Sequence, residues 1–253
     1  MCYNVKYLTK KKIDYARKIG SSEAEIKELE LEFEKILNKW APGYLMSGFA
    51  HPELPVITAF SPPRIEFMPW GLIPSWENDP LKATKIQNHT LNCRIETMHT
   101  KPAFRAVAQK NRCVIILDGF YEHQNKGKLK IPHFIHPAND EPLLVAGLWD
   151  ENQNTARVSM VTTHARDFMM DIHNRDNDAE PRMPMLLTNE SMNLWLNPQF
   201  NTQALITQPE FIDAFLMQSL EYYEVRPLSG KLSYGNSPMS SEAYHIEVQG
   251  NLF

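Results

Sequence analysis

Short strand-like runs that begin at Tyr44 and continue almost to the C-terminus limit the fold more than any other feature. Apolar, β-branched and aromatic residues are concentrated in these runs, and turn-forming residues separate them. The sequence predicts strands at 44–50, 56–60, 64–69, 113–123, 129–136, 143–149, 156–163, 183–187, 223–228 and 244–248. Asn125-Lys126-Gly127 is a turn signal, so 120–136 is predicted as a β-hairpin.

Helical periodicity interrupts these runs at only a few places. Apolar residues recur at helical spacing over 21–40, where Ser22 and Glu25 fit a capping box, and this predicts an amphipathic helix. Three shorter helices are predicted at 96–104, 190–196 and 210–220. Because strands dominate and do not alternate regularly with helices, we expect one α+β domain over residues 1–253. Its sheet is expected to be mixed and partly closed, like a barrel, with peripheral helices.

Composition and charge exclude several classes of protein. Lys plus Arg number 26 and Asp plus Glu number 30, so a net charge of -4 excludes a general cationic coat for DNA or anionic membrane. No apolar run approaches membrane-spanning length and the N-terminus lacks a signal-type stretch, which predicts a cytoplasmic protein. The three cysteines form no Cys-x-x-Cys pair, and His133 and His136 would point to opposite faces of a strand. We therefore expect no metal and no cofactor.

The second residue, Cys2, would carry two nucleophilic groups if it became the N-terminal residue. Initiator methionine is normally trimmed before a small residue, and trimming of Met1 would leave a cysteine with a free α-amine beside its thiol. The reference pKa values of these groups are about 7.7–8.0 and about 8.5, so both nucleophiles are partly available at neutral pH. Such an aminothiol can attack an amide as an N-terminal nucleophile. It can also condense with an aldehyde to an imine, which the thiol closes into a thiazolidine.

Four further segments follow Met1-Cys2 in a recognisable order. They are 70–76 (Trp-Gly-Leu-Ile-Pro-Ser-Trp), 92–97 (Asn-Cys-Arg-Ile-Glu-Thr), 112–122 (Arg-Cys-Val-Ile-Ile-Leu-Asp-Gly-Phe-Tyr-Glu), and Thr162-Thr163-x-Ala165 with Ile172-His173 and Arg182-Met183-Pro184. Each resembles a block of the SOS-response-associated peptidase (SRAP) family of abasic-site-processing proteins. Five blocks in family order span nearly the whole chain, which makes the resemblance specific.

The resemblance implies a function in the DNA damage (SOS) response. It implies a groove for single-stranded DNA and an N-terminal cysteine that forms a thiazolidine crosslink with the aldehyde of an abasic site. The implied active site consists of Cys2, Asn92, Glu122 and His173. The partner would be single-stranded DNA bound by a monomer, and a lyase-like step through the imine is chemically possible. The residues expected to contact DNA are Arg94, Arg182, Trp70 and Arg105, while Trp76 is assigned to the core.

The chain departs from the family pattern at several positions. Tyr3 and Asn4 stand where the family has Gly-Arg, and His123 stands where the family prefers Trp. An acidic insertion over 174–181 leaves both Arg175 and Arg182 as candidates for the family arginine. Arg182 is preferred because it directly precedes Met-Pro.

Chemistry at an aldehyde requires proton transfer. Ring opening of the sugar and imine formation need an acid and a base, and Glu122 and His173 can supply both. Asn92 can orient the α-amine through its carbonyl oxygen. The structural alternatives are a solvated charge for Glu122, a core histidine for His173 and a helix cap for Asn92. Two other functions stay open, namely an N-terminal-nucleophile thiol (auto)peptidase and a non-catalytic reader of modified DNA.

Overall fold

Two β-sheets make up most of the fold. The computed structural model describes residues 2–7, 22–24, 27, 43–59, 65–138, 141–174, 180–207, 211 and 220–245. The first sheet is antiparallel and has the strand order β13-β8-β7-β1-β2. Its strands are β1 (Asn4–Tyr7), β2 (Gly43–Ser47), β7 (Gly119–Lys126), β8 (Leu129–Pro137) and β13 (Leu220–Glu224).

The second sheet has eight strands in the order β11-β10-β9-β6-β3-β4, with β12 paired to β9 and β5 paired to β10. They are β3 (Glu53–Thr58), β4 (Ile65–Pro69), β5 (Asn92–Arg94), β6 (Arg112–Leu117), β9 (Leu143–Asn152), β10 (Thr155–His164), β11 (Arg182–Pro184) and β12 (Leu186–Leu187). The β5–β10 pair is parallel and the other paired strands of this sheet are antiparallel. This confirms the predicted α+β class with a mixed sheet that curls into a half-barrel.

A corner at Asp118 carries the chain from one sheet to the other. The segment 113–123 was predicted as one strand, but β6 ends at Leu117 and β7 begins at Gly119. The backbone N–H of Asp118 donates to the Lys6 carbonyl (2.8 Å) between the two strands. A Cβ at Gly119 would lie 2.5 Å from the Ile135 carbonyl oxygen, so the tight approach of β7 to β8 requires glycine. The predicted hairpin is confirmed, since β7 and β8 pair from Phe120↔Ile135 to Lys126↔Leu129.

The helices match the sequence patterns only in part. Those that lie wholly within the described residues are α1 (Pro80–His89), α2 (Phe168–Ile172), α3 (Asn189–Leu196) and α4 (Thr202–Leu205), with 3-10 helices at Gly48–Ala50 and Pro238–Ser241. The prediction for 190–196 is confirmed by α3. The prediction for 96–104 is wrong, because Pro102 supplies no N–H and the segment forms successive hydrogen-bonded turns. Periodicity missed α1 because α1 has no buried residue.

Other predicted elements differ in their bounds or lie outside the described residues. The predicted strand 44–50 ends as a 3-10 helix, and the predicted strand 223–228 is observed earlier, as β13. The amphipathic helix predicted over 21–40 and the helix over 210–220 lie mostly outside the described residues. Of the first, Glu23, Ala24 and Lys27 are helical and exposed. The strand over 244–248 also lies mostly outside them, and Tyr244 is not in a strand.

Two apolar clusters lie on opposite faces of the second sheet. Alternate residues of β6 point to opposite faces, so Cys113 and Ile115 join one cluster and Val114 joins the other. The first cluster lies between the two sheets and includes Cys2. The second packs under α3, where the Trp195 indole N–H donates to the Cys113 carbonyl oxygen (2.9 Å).

Candidate active site

Strand pairing places the N-terminal cysteine beside the strand that carries Glu122. Cys2 lies two residues before the start of β1 and is buried between the sheets, and its thiol donates to the Asn4 carbonyl oxygen (3.6 Å). Asn4 pairs with Tyr121 across the antiparallel β1–β7 ladder. The same register sets Tyr3 beside Glu122, so Cys2 and Glu122 are neighbours because β1 adds to β7.

The Glu122 carboxylate is buried and acts electrostatically on Cys2. One of its oxygens accepts a hydrogen bond from the His123 backbone N–H (3.1 Å). Burial raises the pKa of the Cys2 thiol well above its usual range, and the negative charge of Glu122 raises it further. The sulfur therefore rests as a neutral thiol at physiological pH, and its attack on carbon requires a base.

Asn92 is the third side chain of the site. It begins β5, is buried, and donates from Nδ2 to the Cys2 carbonyl oxygen (2.8 Å). Its position is set by the parallel register Met160↔Asn92 between β5 and β10. The Oδ1 atom of Asn92 is also buried and accepts no hydrogen bond within the described part of the chain. The Nδ2 atom of Asn92 thus fixes the Cys2 backbone, and its Oδ1 is a buried hydrogen-bond acceptor on the same side chain.

His173 lies at the C-terminal end of α2 and is fully buried. Its Nδ1 lies 2.9 Å from the backbone nitrogen of Arg182 and 2.6 Å from the Arg182 carbonyl oxygen. The following residue, Asn174, accepts at Oδ1 from the Asn125 N–H of β7 (2.7 Å) and donates from Nδ2 to the Asn125 carbonyl (3.0 Å). The strand that carries Glu122 therefore also anchors the end of α2 that carries His173.

The structure reverses the assignment of two tryptophans. Trp70, expected to stack on a DNA base, is buried and donates from Nε1 to the Leu91 carbonyl oxygen (2.7 Å). Trp76, expected in the core, is 52% exposed. Both predictions are wrong, because Trp70 bridges to Val158 of the second sheet and Trp76 lies in the turn that follows.

The arginines expected along a DNA groove fall into two groups. Arg182 is 1% exposed, and its Nη1 and Nη2 bind the two Glu96 carboxylate oxygens at 3.0 and 2.9 Å. Because the guanidinium is buried, the structure contradicts the prediction that the Arg182 side chain faces DNA. Arg94 and Arg105 are exposed, and Arg94 lies 3.5 Å from the exposed Glu180. Their DNA contacts stay predictions, and Arg175 lies outside the described residues.

Glu96 was missed as a site residue. Partial burial acts to raise the pKa of its carboxyl, but the hydrogen bonds and charge of Arg182, assisted by His164, outweigh burial and lower that pKa. His164 Nε2 lies 3.3 Å from Glu96 Oε1. The motif Asn-Cys-Arg-Ile-Glu-Thr contains Glu96, but only the fold shows that its partner lies 86 residues away.

An aromatic pair beside Cys2 was also missed. The rings of Tyr3 and Phe49 lie 5.1 Å apart, and Phe49 is 56% exposed. The Gly48 N–H donates to the Tyr3 carbonyl oxygen (2.8 Å), which fixes the 3-10 helix against the N-terminal segment. The sequence placed Phe49 inside a predicted strand, and only the 3-10 helix turns its ring outward.

The described residues offer neither a membrane-spanning helix nor a cluster of metal ligands. They contain no helix both long enough and apolar enough to span a bilayer. They also contain no group of three or more His, Cys, Asp or Glu side chains arranged to hold a metal ion.

Known proteins resemble this chain in sequence and in fold. The sequence matches the family model described as SOS response associated peptidase (SRAP) over residues 1–231. It is 30% identical over 236 residues to abasic site processing protein YoqW of Bacillus subtilis, covering 85% of this chain and 95% of that protein. It is 31% identical over 209 residues to YoaM of the same organism, also named an abasic site processing protein, covering 79% and 82%. A crystal structure of a protein from Bacteroides thetaiotaomicron superposes with a TM-score of 0.74 at 25% identity, covering 96% of this chain and all of that one.

Proposed function

Because the chain belongs to the SOS response associated peptidase (SRAP) family, we propose that it captures abasic sites in single-stranded DNA through a covalent bond to Cys2. The relatives named above are abasic site processing proteins, which supports DNA with abasic sites as the substrate. One observation carries the proposal. Asn92 binds the Cys2 backbone while Glu122 lies beside the Cys2 thiol, so the aminothiol and a carboxylate are held together in a buried site.

The first chemical step joins nitrogen to carbon. After removal of Met1, the α-amine of Cys2 attacks the aldehyde carbon of the ring-opened sugar, and loss of one water gives an imine. The buried Oδ1 of Asn92 is an acceptor for an N–H of that amine and orients its lone pair toward the aldehyde. The leaving oxygen needs a proton, and an acid in the site supplies it.

The second step joins sulfur to the same carbon. The thiol adds across the imine C=N bond, the sulfur bonds to carbon, and its proton ends on nitrogen, which closes the thiazolidine with no further reactant. Because burial and Glu122 keep the sulfur protonated, the thiolate must form at the moment of attack. Glu122 is the base we assign to this transfer, since it is the carboxylate that acts on the thiol.

His173 is assigned to proton transfer at the sugar. Its Nδ1 is occupied by the backbone of Arg182, so Nε2 is the nitrogen that exchanges protons with the ring oxygen during opening. The hydrogen bonds between Asn174 and Asn125 tie the end of α2, which carries this imidazole, to β7, which carries Glu122.

DNA contacts are assigned to exposed residues. The Arg94–Glu180 pair is solvent-exposed and contributes little, so a phosphate can replace Glu180 as the partner of Arg94. Arg105 offers a second exposed guanidinium. With Trp70 buried, base stacking is assigned to the Tyr3–Phe49 pair, which directly adjoins Cys2.

A denaturing gel tests the proposal. Protein whose loss of Met1 has been verified by mass spectrometry is mixed with single-stranded DNA that carries one abasic site. A heat-stable shifted band is expected from the wild type and from the buried-thiol control Cys93→Ala. Cys2→Ser should give at most an imine that borohydride traps, because ring closure needs sulfur. A heat-stable adduct from Cys2→Ala would refute the assignment.

The same Cys2 variants distinguish the proposed function from two alternatives. A thiol autopeptidase, which the family name suggests, would remove Met1 without other enzymes and lose this activity in Cys2→Ser. A non-catalytic reader would bind modified DNA without a crosslink and keep its affinity in Cys2→Ala. A role in the SOS response, a cytoplasmic location, a monomeric state and a single domain over 1–253 stay predictions from the sequence.

A further inference from the structure

The guanidinium of Arg182 is held inside the protein through Nη1 and Nη2, while its buried Nε has no hydrogen-bond partner among the described residues. Besides its two bonds to Glu96, Nη2 donates to the Thr162 carbonyl oxygen at 2.8 Å. The side chain is 1% exposed, so these three bonds hold residue 182 from within the fold. A bidentate arginine–carboxylate pair fixes orientation as well as distance, because two parallel N–H···O bonds define a plane.

The backbone of the same residue holds the His173 imidazole. The Arg182 N–H donates to Nδ1 in the tautomer with the proton on Nε2 (2.9 Å). When Nδ1 carries a proton, the Arg182 carbonyl oxygen accepts it (2.6 Å). One residue therefore provides a partner for Nδ1 in both of its protonation states. The orientation of the ring then depends on where the backbone of residue 182 is held.

The ion pair also joins two segments of the site. Glu96 follows β5, which carries Asn92, and Arg182 begins β11. The Thr162 carbonyl of β10 accepts both from Arg182 Nη2 and from the Ile95 N–H (3.0 Å). The pair thus ties the segment that binds Cys2 to the segment that holds His173.

We propose that Arg182 is a positioning residue: its side chain, anchored by Glu96, fixes the backbone groups that orient the His173 imidazole for proton transfer. The role of that proton transfer rests on the proposed function, whereas the orientation of the ring does not. If the Glu96 charge is removed, the buried guanidinium loses its counter-ion and residue 182 must shift toward solvent, which releases Nδ1.

The variant that tests this is Glu96→Gln, which keeps the size of the side chain and one oxygen acceptor. Two quantities are measured on folded protein: the nitrogen-15 chemical shifts of the His173 ring, and the crosslinking rate constant at saturating single-stranded DNA. We expect the ring shifts to change and the rate constant to fall roughly 10- to 100-fold, with DNA affinity unchanged. Glu224→Gln is the matched control, because Glu224 also binds a cation and a histidine, Lys126 and His245, but on β13. It should leave both quantities unchanged.

Each outcome decides the proposal. Unchanged ring shifts in folded Glu96→Gln would overturn it, and so would a rise in DNA affinity with an unchanged rate constant, which would make Arg182 a phosphate ligand held back by Glu96. If Glu96→Gln fails to fold, Glu96→Asp gives the same readouts, because it keeps the charge but withdraws the carboxylate by one carbon. Changed ring shifts in a protein whose wild type forms no crosslink would support the positioning role and refute the proposed function.

Discussion

Replacing Asn92 by alanine separates the chemistry of the site from the stability of the fold. The change removes the 2.8 Å hydrogen bond to the Cys2 carbonyl, worth about 0.5–1.5 kcal/mol, and leaves that carbonyl unpaired at a cost of about 1–3 kcal/mol. It also removes the buried Oδ1, which has no partner among the described residues, and this relieves a desolvation cost of about 1–3 kcal/mol. The cost of the unpaired carbonyl and the gain from removing Oδ1 offset each other. The free energy of unfolding should therefore fall by about 1 kcal/mol, which is a Tm decrease of about 2–4 °C.

The crosslinking rate should respond much more strongly. In the proposed mechanism Asn92 Oδ1 accepts a hydrogen bond from the Cys2 α-amine as the amine attacks. The attacking nitrogen is neutral but gains positive charge as its bond to carbon forms, and a hydrogen bond that involves a charged group contributes about 1.5–3 kcal/mol. At 1.4 kcal/mol for each factor of ten, its loss slows imine formation roughly 10- to 100-fold.

The assay is the first-order rate of crosslinking at saturating single-stranded DNA with one abasic site, paired with thermal unfolding. Asn88→Ala is the control, because its Nδ2 donates to the Thr84 carbonyl (3.2 Å) on the exposed face of α1. The control should crosslink at the wild-type rate. If Asn92→Ala also crosslinks at the wild-type rate while folded, Asn92 does not orient the amine and the reasoning fails.

Four further outcomes are expected. Glu122→Gln removes the carboxylate that we assign as the base for the Cys2 thiol, so crosslinking should slow roughly 10²–10⁴-fold; an unchanged crosslinking rate in the folded variant would contradict the role of base. Phe49→Ala should weaken single-stranded DNA binding by about 1–3 kcal/mol and leave the saturated crosslinking rate unchanged, and equal affinity would exclude stacking. Arg94→Ala should reduce the slope of log affinity against log salt by about 0.7, which titration at several salt concentrations measures. Above about pH 8.5 the thiols of the unfolded chain ionise while the buried ones stay protonated, so the free energy of unfolding should fall, by up to about 1.4 kcal/mol per pH unit for each of Cys2, Cys93 and Cys113. Denaturant unfolding between about pH 8 and pH 10 checks this, and a stability that rises with pH would refute the burial of these thiols.

Local sequence patterns were sufficient to predict most strands of the two sheets. Two strand-like runs and the turn signal between them predicted the β7–β8 hairpin, because both signals arise from neighbouring residues. The capped helix α3 was also predicted, since its buried side leaves a helical period in the sequence. Helix α1 leaves none, and its start depends on Asp79, which accepts hydrogen bonds from two N–H groups of the first turn. The family motifs identified Cys2 and its candidate partners before any contact was known.

Tertiary structure alone decided which way the side chains of those motifs point. Trp70 and Trp76 lie six residues apart in one motif, yet the first is buried by a bridge to Val158 and the second faces solvent. Arg182 was assigned to DNA by the family resemblance, because it directly precedes Met-Pro, but its hydrogen bonds to Glu96, 86 residues away, hold it inside the protein. A sequence records which groups are available to a site, through chemical type and local period. Whether a charge or a ring meets water depends on partners that are distant along the chain, and only folding brings those partners into contact.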